Sequence, residues 1–490
     1  MFINRIITII TLSLLIGSCP EEYSEYYDEC YNNDDIDFLT SLLQNNCFDY
    51  DSNNQYTTVE CVFNPNELIQ DGTIYPVEIC FQDWSNGRLI GLDCYNHELI
   101  GIIPENIGNA SELSYLIMES NTLEGSIPES IGYLSQLNTL NLNSNQLSGD
   151  IPPEIGNLNN LEWLTISDNM LTGSIPYEIG DLNNVRAISL RNNQLTGSIP
   201  PSIGNLDSLE HINLMYNNIT GAIPSEIGDS ASLQELLLGS NQLSGNIPAE
   251  ISELSLLFEL GLWGNNLNGS IPPEIGNLTN LEYLFLGYNQ LTGNIPSEIG
   301  NLSDLRMLGF ENNSLSGEIP YTIGNLSNIE QLWIHNNNLT GQIPPSIGNL
   351  NNAIEINLYN NQLSGWIPLS LEQISNLEVL WLGNNELTGI IPQFIVYLNN
   401  YTVYNNYFCS PYPSSIVLGY QDTSTCTEYI QGNLNNDSVL DVFDVIIGIE
   451  FIINNSNLTN YQYWSLDMDG DGNHNISDIL YLVQLIMYYE

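Results

Sequence analysis

Lysine is absent from these 490 residues, and only five arginines stand against 58 acidic side chains, for a formal net charge of −53. A chain with so few cations cannot neutralise phosphate, which excludes nucleic acid and anionic lipid surfaces as partners. The acidity suits either simple solubility in salty surroundings or a divalent-ion-rich exterior with cationic partners. Histidine is nearly as scarce. His97, His211, His335 and His474 fall in separate registers, and none sits in a nucleophile motif. Without a phosphate loop, a metal cluster or a clustered acid pair outside two C-terminal loops, the expectation is a protein that is not an enzyme. Cysteine is missing from the whole middle of the chain, since all eight lie before residue 95 or after residue 408. After the first residues no apolar run is long enough to span a bilayer.

What fills the middle is a repeat. From Ile103 the pair Ile-Pro returns at Ile127, Ile151, Ile175 and onward to Ile391, every 24 residues and without insertion. Between the pairs runs IPxxIGNLxxLxxLxLxxNxLxG, given almost unaltered by Ile271 to Gly293. A fixed period with LxxLxLxxN inside is a leucine-rich repeat signature. The expected fold is therefore α/β: a right-handed solenoid with a parallel sheet on its concave face. Each Leu-x-Leu forms a short strand. The Asn that follows (Asn121, Asn145 and so on to Asn385) stacks once per coil and must satisfy its amide inside. That ladder is structural. Gly four residues later, as at Gly293, supplies a backbone conformation closed to other residues.

The segment IPxxIGNL resembles the plant-type class of leucine-rich repeat, which includes receptor ectodomains and polygalacturonase-inhibiting proteins. The resemblance covers residues 84–408. Cys80, Trp84 and Cys94 look like the N-terminal cap of that class, in which a disulfide brackets a Trp. A helix is expected from Asp35 to Gln44, with Ile36, Leu39, Leu42 and Leu43 at helical spacing. Cys409 and Cys426 are placed to staple the C-terminal cap.

Met1 to Ser18 carry Arg5, then an apolar run, then Gly17-Ser18-Cys19, which reads as a secretory signal peptide. Leu15 to Cys19 also looks like a lipobox, and only a lipidated Cys19 would tether the chain to a membrane. An even set of cysteines favours pairing Cys19 instead, and pairing on this scale implies an oxidising, extracytoplasmic setting. The chain thus divides into 1–18 signal peptide, 19–83 N-terminal cap, 84–408 solenoid, 409–429 C-terminal cap and 430–490 a second domain.

In that second domain a 12-residue loop occurs twice. Ca²⁺ takes six to eight oxygens, supplied from loop positions 1, 3, 5, 7, 9 and 12. In the second copy these are Asp467, Asp469, Asp471, the Asn473 carbonyl, Asn475 and Asp478, followed by the apolar run ILYLVQLIM. In the first they are Asn433, Asn435, Asp437, the Val439 carbonyl, Asp441 and Asp444, followed by VIIGIEFII. The duplicated loop and helix resemble a small all-α dockerin domain with calcium as its cofactor. First-copy Asn433 and Ser438 depart from that family and imply the weaker site. Resemblance implies a cohesin-like partner docking on Val442, Phe443, Ile476 and Ser477; the alternative is a calcium-stabilised cap on the solenoid.

Strand residues flanking the core leucines point outward. The middle outward column includes Phe285, Trp333 and Trp381 on every second coil, roughly 9 to 10 Å apart, with Gly309 and Asn357 reading as gaps between them. Neighbouring columns add Trp163, Trp263, Tyr283, His335 and Tyr359. Exposed aromatic surface of this kind marks a binding face for an extracellular protein or a polysaccharide. The competing expectation is a structural or adhesive surface protein, an ice-binding one included, with the solenoid as spacer.

Overall fold

A coil begins with a three-residue strand whose central Leu or Ile is buried, as Leu284 is between Tyr283 and Phe285. The chain then turns, in many coils forms a short second strand, and passes Ile-Pro into one turn of 3-10 helix such as Pro273–Asn277. Proline fits there because it precedes or opens the turn, where no amide is required. Ile275 fills the core from that turn, and Gly276 is obligatory by proximity: a Cβ there would lie 2.4 Å from the backbone oxygen of Glu298 in the next coil. Gly293 has φ +75°, so the expected need for a left-handed residue is met.

A computed structural model describes residues 23–26, 29–46, 80–389, 391–409, 412–413, 415–423, 442–454, 466, 468 and 475–489. The chain divides into two units, Met1–Thr220 and Gly221–Glu490. In the first, an antiparallel pair, Phe81–Ser85 with Arg88–Asp93, leads into parallel strands running through Tyr115–Ile117, Thr139–Asn141, Trp163–Thr165, Ala187–Ser189 and His211–Asn213. The predicted helix is there as Asn33–Asn46, two residues longer at each end. Asn32 starts it by accepting the amides of Asp34 and Asp35. Asp35 is fully buried, ion-paired with Arg88 at 2.8 Å, and also accepts the Leu89 amide. Cys80 and Cys94 form the expected disulfide around Trp84; Cys30 in the first unit and Cys409 in the second are each disulfide-bonded too, to partners outside this pair. The expected signal peptide, Cys19 and Cys426 lie outside the described residues.

In the second unit the parallel strands run Glu235–Leu237, Glu259–Gly261, Tyr283–Phe285, Met307–Gly309, Gln331–Trp333, Glu355–Asn357, Val379–Trp381 and Asn400–Thr402. Helices Val442–Asn454 and Ile476–Tyr489 follow, where the two apolar runs predicted them. Leu466, Met468, Ile479 and Leu482 form their buried cluster, and Leu369, from a 3-10 turn of the coils, packs against it.

The asparagine ladder is built as expected. Asn337 donates to the carbonyls of Phe310, Ile334 and His335 at 3.0 to 3.2 Å, and its Oδ1 accepts the Leu315 amide at 3.0 Å. Thus one side chain ties its own coil to the one before it. The residue before each ladder asparagine has positive φ, a requirement the consensus conceals. Asn fills it at Asn312, Asn336, Asn360 and Asn384, but Tyr288 holds φ 54° while exposed. A β-carbon in this region costs on the order of 1 kcal/mol, and asparagine bears it best. Tyr288→Asn is therefore expected to stabilise the fold by about 1 kcal/mol in denaturant titration, with an unchanged or lower midpoint arguing against strain there.

Candidate functional site

The strands of the Gly221–Glu490 unit bring three outward columns into register. Tyr283, Met307, Gln331, Glu355 and Val379 form one. Phe285, Gly309, Trp333, Asn357 and Trp381 form the next. Two residues further along each chain lie Trp263, Gly287, Glu311, His335, Tyr359 and Gly383. Six of the eight aromatic and histidine positions expected to bind, Tyr283, Phe285, Trp333, His335, Tyr359 and Trp381, share this surface.

Trp263 is in the same unit but leans toward the preceding coil, where its indole nitrogen lies 2.6 Å from the position of a Gly239 Cβ. Trp163 belongs to the other unit, and the Arg186 guanidinium, itself paired with Glu210 at 2.7 Å, sits 5.7 Å over its ring.

The gaps expected at Gly309 and Asn357 are closed. Asn357 is 1 % exposed between Trp333 and Trp381, and its Oδ1 accepts the Tyr359 amide. Bulky rings lean over small neighbours because that removes apolar area from water without a gap. In consequence none of the six stands free: each is half-buried. Tyr283 and Phe285 stack at 6.5 Å, and Arg306 donates to the Tyr283 hydroxyl while pairing with Glu330. Tyr359 meets Tyr404 edge-on at 6.2 Å and accepts from Asn384.

Burial carries polar atoms with it. Glu311 Oε2, Gln331 Oε1, Trp333 Nε1 and His335 Nδ1 are all shielded from solvent and have no hydrogen-bond partner among the described residues. Four such atoms on two successive coils are unusual, since buried polar groups are normally paired and an unpaired one costs about 1 to 3 kcal/mol. Desolvation raises the carboxyl pKa of Glu311 and of Glu355 and lowers that of His335. The Trp333 indole N–H faces Glu355 closely enough to favour its charged form, yet meets no acceptor in hydrogen-bond geometry. For Glu311 the cost to stability applies at neutral pH and is recovered as pH falls from its raised value toward 4.5; for His335 the cost sets in as pH falls below 6.5.

Glu311, Gln331 and Glu355 were not legible as site residues. The signal that could have found Glu311 is its place beside two small neighbours, Gly287 and Gly309, on the most aromatic part of the face.

At the C-terminal helices, Val442, Phe443 and Ile476 are exposed, and Ser477 partly so, as a docking surface requires. Asp444 and Asp478 are fully buried in the first turn of their helices. Asp478 Oδ1 accepts the Met468 amide and Oδ2 the Asn475 amide. The remaining loop ligands expected, Asn433, Asn435, Asp437, Val439, Asp441, Asp467, Asp469, Asp471 and Asn473, lie outside the described residues. Among the described residues no three His, Cys, Asp or Glu side chains converge on one point, and no helix is long and apolar enough to cross a membrane.

Family models for leucine rich repeats match residues 184–243 and, as separate repeats, 136–158, 160–182, 256–278, 280–302, 304–326, 328–350 and 376–398. No curated protein matches the sequence. Among solved structures, a TDR receptor is 36 % identical over 65 % of this chain and 56 % of its own, with TM-score 0.63. A plant peptide hormone receptor, RGFR1 in complex with RGF2, is 34 % identical over 65 % and 60 %, with TM-score 0.54. A leucine-rich repeat protein of Leptospira interrogans is 33 % identical over 65 % of this chain and 84 % of its own, with TM-score 0.53. The chain spans little more than half the length of the two receptors.

Proposed function

Because the chain belongs to the leucine-rich repeat proteins, we propose that it is an extracellular recognition module whose Gly221–Glu490 strands bind a peptide or protein segment around Trp333. The observation that carries this reading is the quartet of buried, unpaired polar atoms among half-buried rings. A core would not retain them, but a ligand that supplies their hydrogen bonds recovers the cost and gains specificity. The plant receptor solved with RGF2 supports a peptide ligand over a polysaccharide. The test is selection from a displayed random octapeptide library on the full chain. Binders that fail on Trp381→Ala support the reading; a selection yielding none sensitive to that change contradicts it.

The C-terminal segment is proposed to be a dockerin-like calcium domain. Asp444 and Asp478 occupy the last-ligand position of their loops and are fully buried at the start of their helices. An all-oxygen donor set of this kind fits a hard cation. Val442, Phe443 and Ile476 would then form the apolar contact for a cohesin-like partner, while Leu369 packed against the helical cluster favours the capping role. Calorimetric titration of the full chain is expected to show calcium uptake. The melting transition should be stabilised by about 2.7 kcal/mol at a hundredfold excess over Kd. Asp467→Ala should abolish the tighter event, and the absence of any calcium-dependent heat or shift would contradict the assignment.

A further inference from the structure

Glu311 is placed unlike any other acid on this face. A Cβ on Gly309 would lie 3.0 Å from Glu311 Oε2, 3.2 Å from the Phe285 ring and 3.8 Å from the Trp333 ring. One anionic oxygen and two aromatic rings thus converge on a single point above a glycine. The same carboxylate lies over Gly287, where a Cβ would meet Oε1 at 2.3 Å. Two residues without side chains, one coil apart, make the floor on which it rests. Arg306 is committed elsewhere, to Glu330 and Tyr283, and His335 forms no ion pair with Glu311. Glu311 Oε2 has no partner among the described residues.

We propose that Glu311, between Phe285 and Trp333, is the subsite for a basic side chain of the bound peptide, arginine in preference to lysine. This rests on the peptide-binding reading above and specifies its ligand. A carboxylate held in partly desolvated surroundings attracts a cation more strongly than one in water. Aromatic rings beside it add the attraction of their faces for a guanidinium, which is planar, weakly hydrated and able to bond the carboxylate while lying on a ring. An ammonium satisfies the charge but not the stacking. The surrounding chain reinforces the choice: at net charge −53 it draws basic peptides and repels acidic ones.

The octapeptides selected on the full chain test this directly. Binders are expected to be enriched in arginine at one position. Replacing that arginine by citrulline should weaken binding at least tenfold on the wild-type chain. It should have little effect on Glu311→Gln, which keeps shape and removes charge; near-UV circular dichroism and melting of the variant establish that it is folded. Binders that fail on Trp381→Ala yet lack a basic residue, or bind Glu311→Gln as tightly as wild type, would overturn the subsite and leave the peptide-binding reading standing. A selection with no binder sensitive to Trp381→Ala would overturn both.

Discussion

Asn337→Ala is expected to destabilise its coils by about 3 kcal/mol, with the amide of Leu315 losing most of its protection from hydrogen exchange. The substitution deletes three donated bonds and one accepted bond in a buried position. It leaves the Leu315 N–H without a partner, at a cost of about 1 to 3 kcal/mol, while the carbonyls of Phe310 and Ile334 each lose one donor and keep another, from Asn313 and Asn361. Because repeats are held by nearest-neighbour interfaces, the damage should be concentrated in the coils around residues 310 to 340 rather than spread along the chain. Asn338→Ala is the control. Asn338 is exposed, and its replacement should stay within about 0.5 kcal/mol of wild type. If the two variants behave alike, the ladder is not what ties the coils.

Trp333→Ala is expected to weaken binding of a selected peptide by about 1 to 4 kcal/mol, the range for a large aromatic anchor. The structure changes what its stability cost should be. The ring is half-buried over Gly309 and beside Asn357, so its removal exposes both and should cost about 1 kcal/mol of cross-strand packing, well short of the Asn337 effect. Trp163→Ala separates site from residue type. That ring, 39 % exposed in the Met1–Thr220 unit and capped by Arg186, should leave peptide affinity unchanged.

How much of this was written in the sequence follows from what sets each feature. The 24-residue period, the ladder asparagines and the left-handed glycines are local demands repeated many times, so a single unit such as Ile271 to Gly293 displays them all. The Cys80–Cys94 bracket around Trp84 was legible only through the resemblance to the plant-type N-terminal cap. The positive φ before the ladder was not, because Tyr216 and Tyr288 occupy a position that elsewhere holds Ser, Asp, Asn or Gly. The outward aromatic face was half legible. Alternation places Phe285, Trp333 and Trp381 outward, but which outward atoms become buried depends on residues 24 positions away in neighbouring coils. Asn357 read as a gap and is covered; Glu311 drew no reading at all and converges with two rings above Gly309. Pattern gives direction, whereas neighbours decide burial.

The central claim is that ladder and outward column do different work, one holding the coils and the other holding a ligand. The measurement that tests it most directly is a paired one on Asn337→Ala and Trp333→Ala: melting temperature, and affinity for the same selected octapeptide at a temperature where both are folded. The account predicts a large loss of melting temperature with near-native affinity for Asn337→Ala, and the reverse for Trp333→Ala. A Trp333→Ala chain that binds the peptide as wild type does, or that melts as early as Asn337→Ala, would contradict it and leave the aromatic column as packing alone.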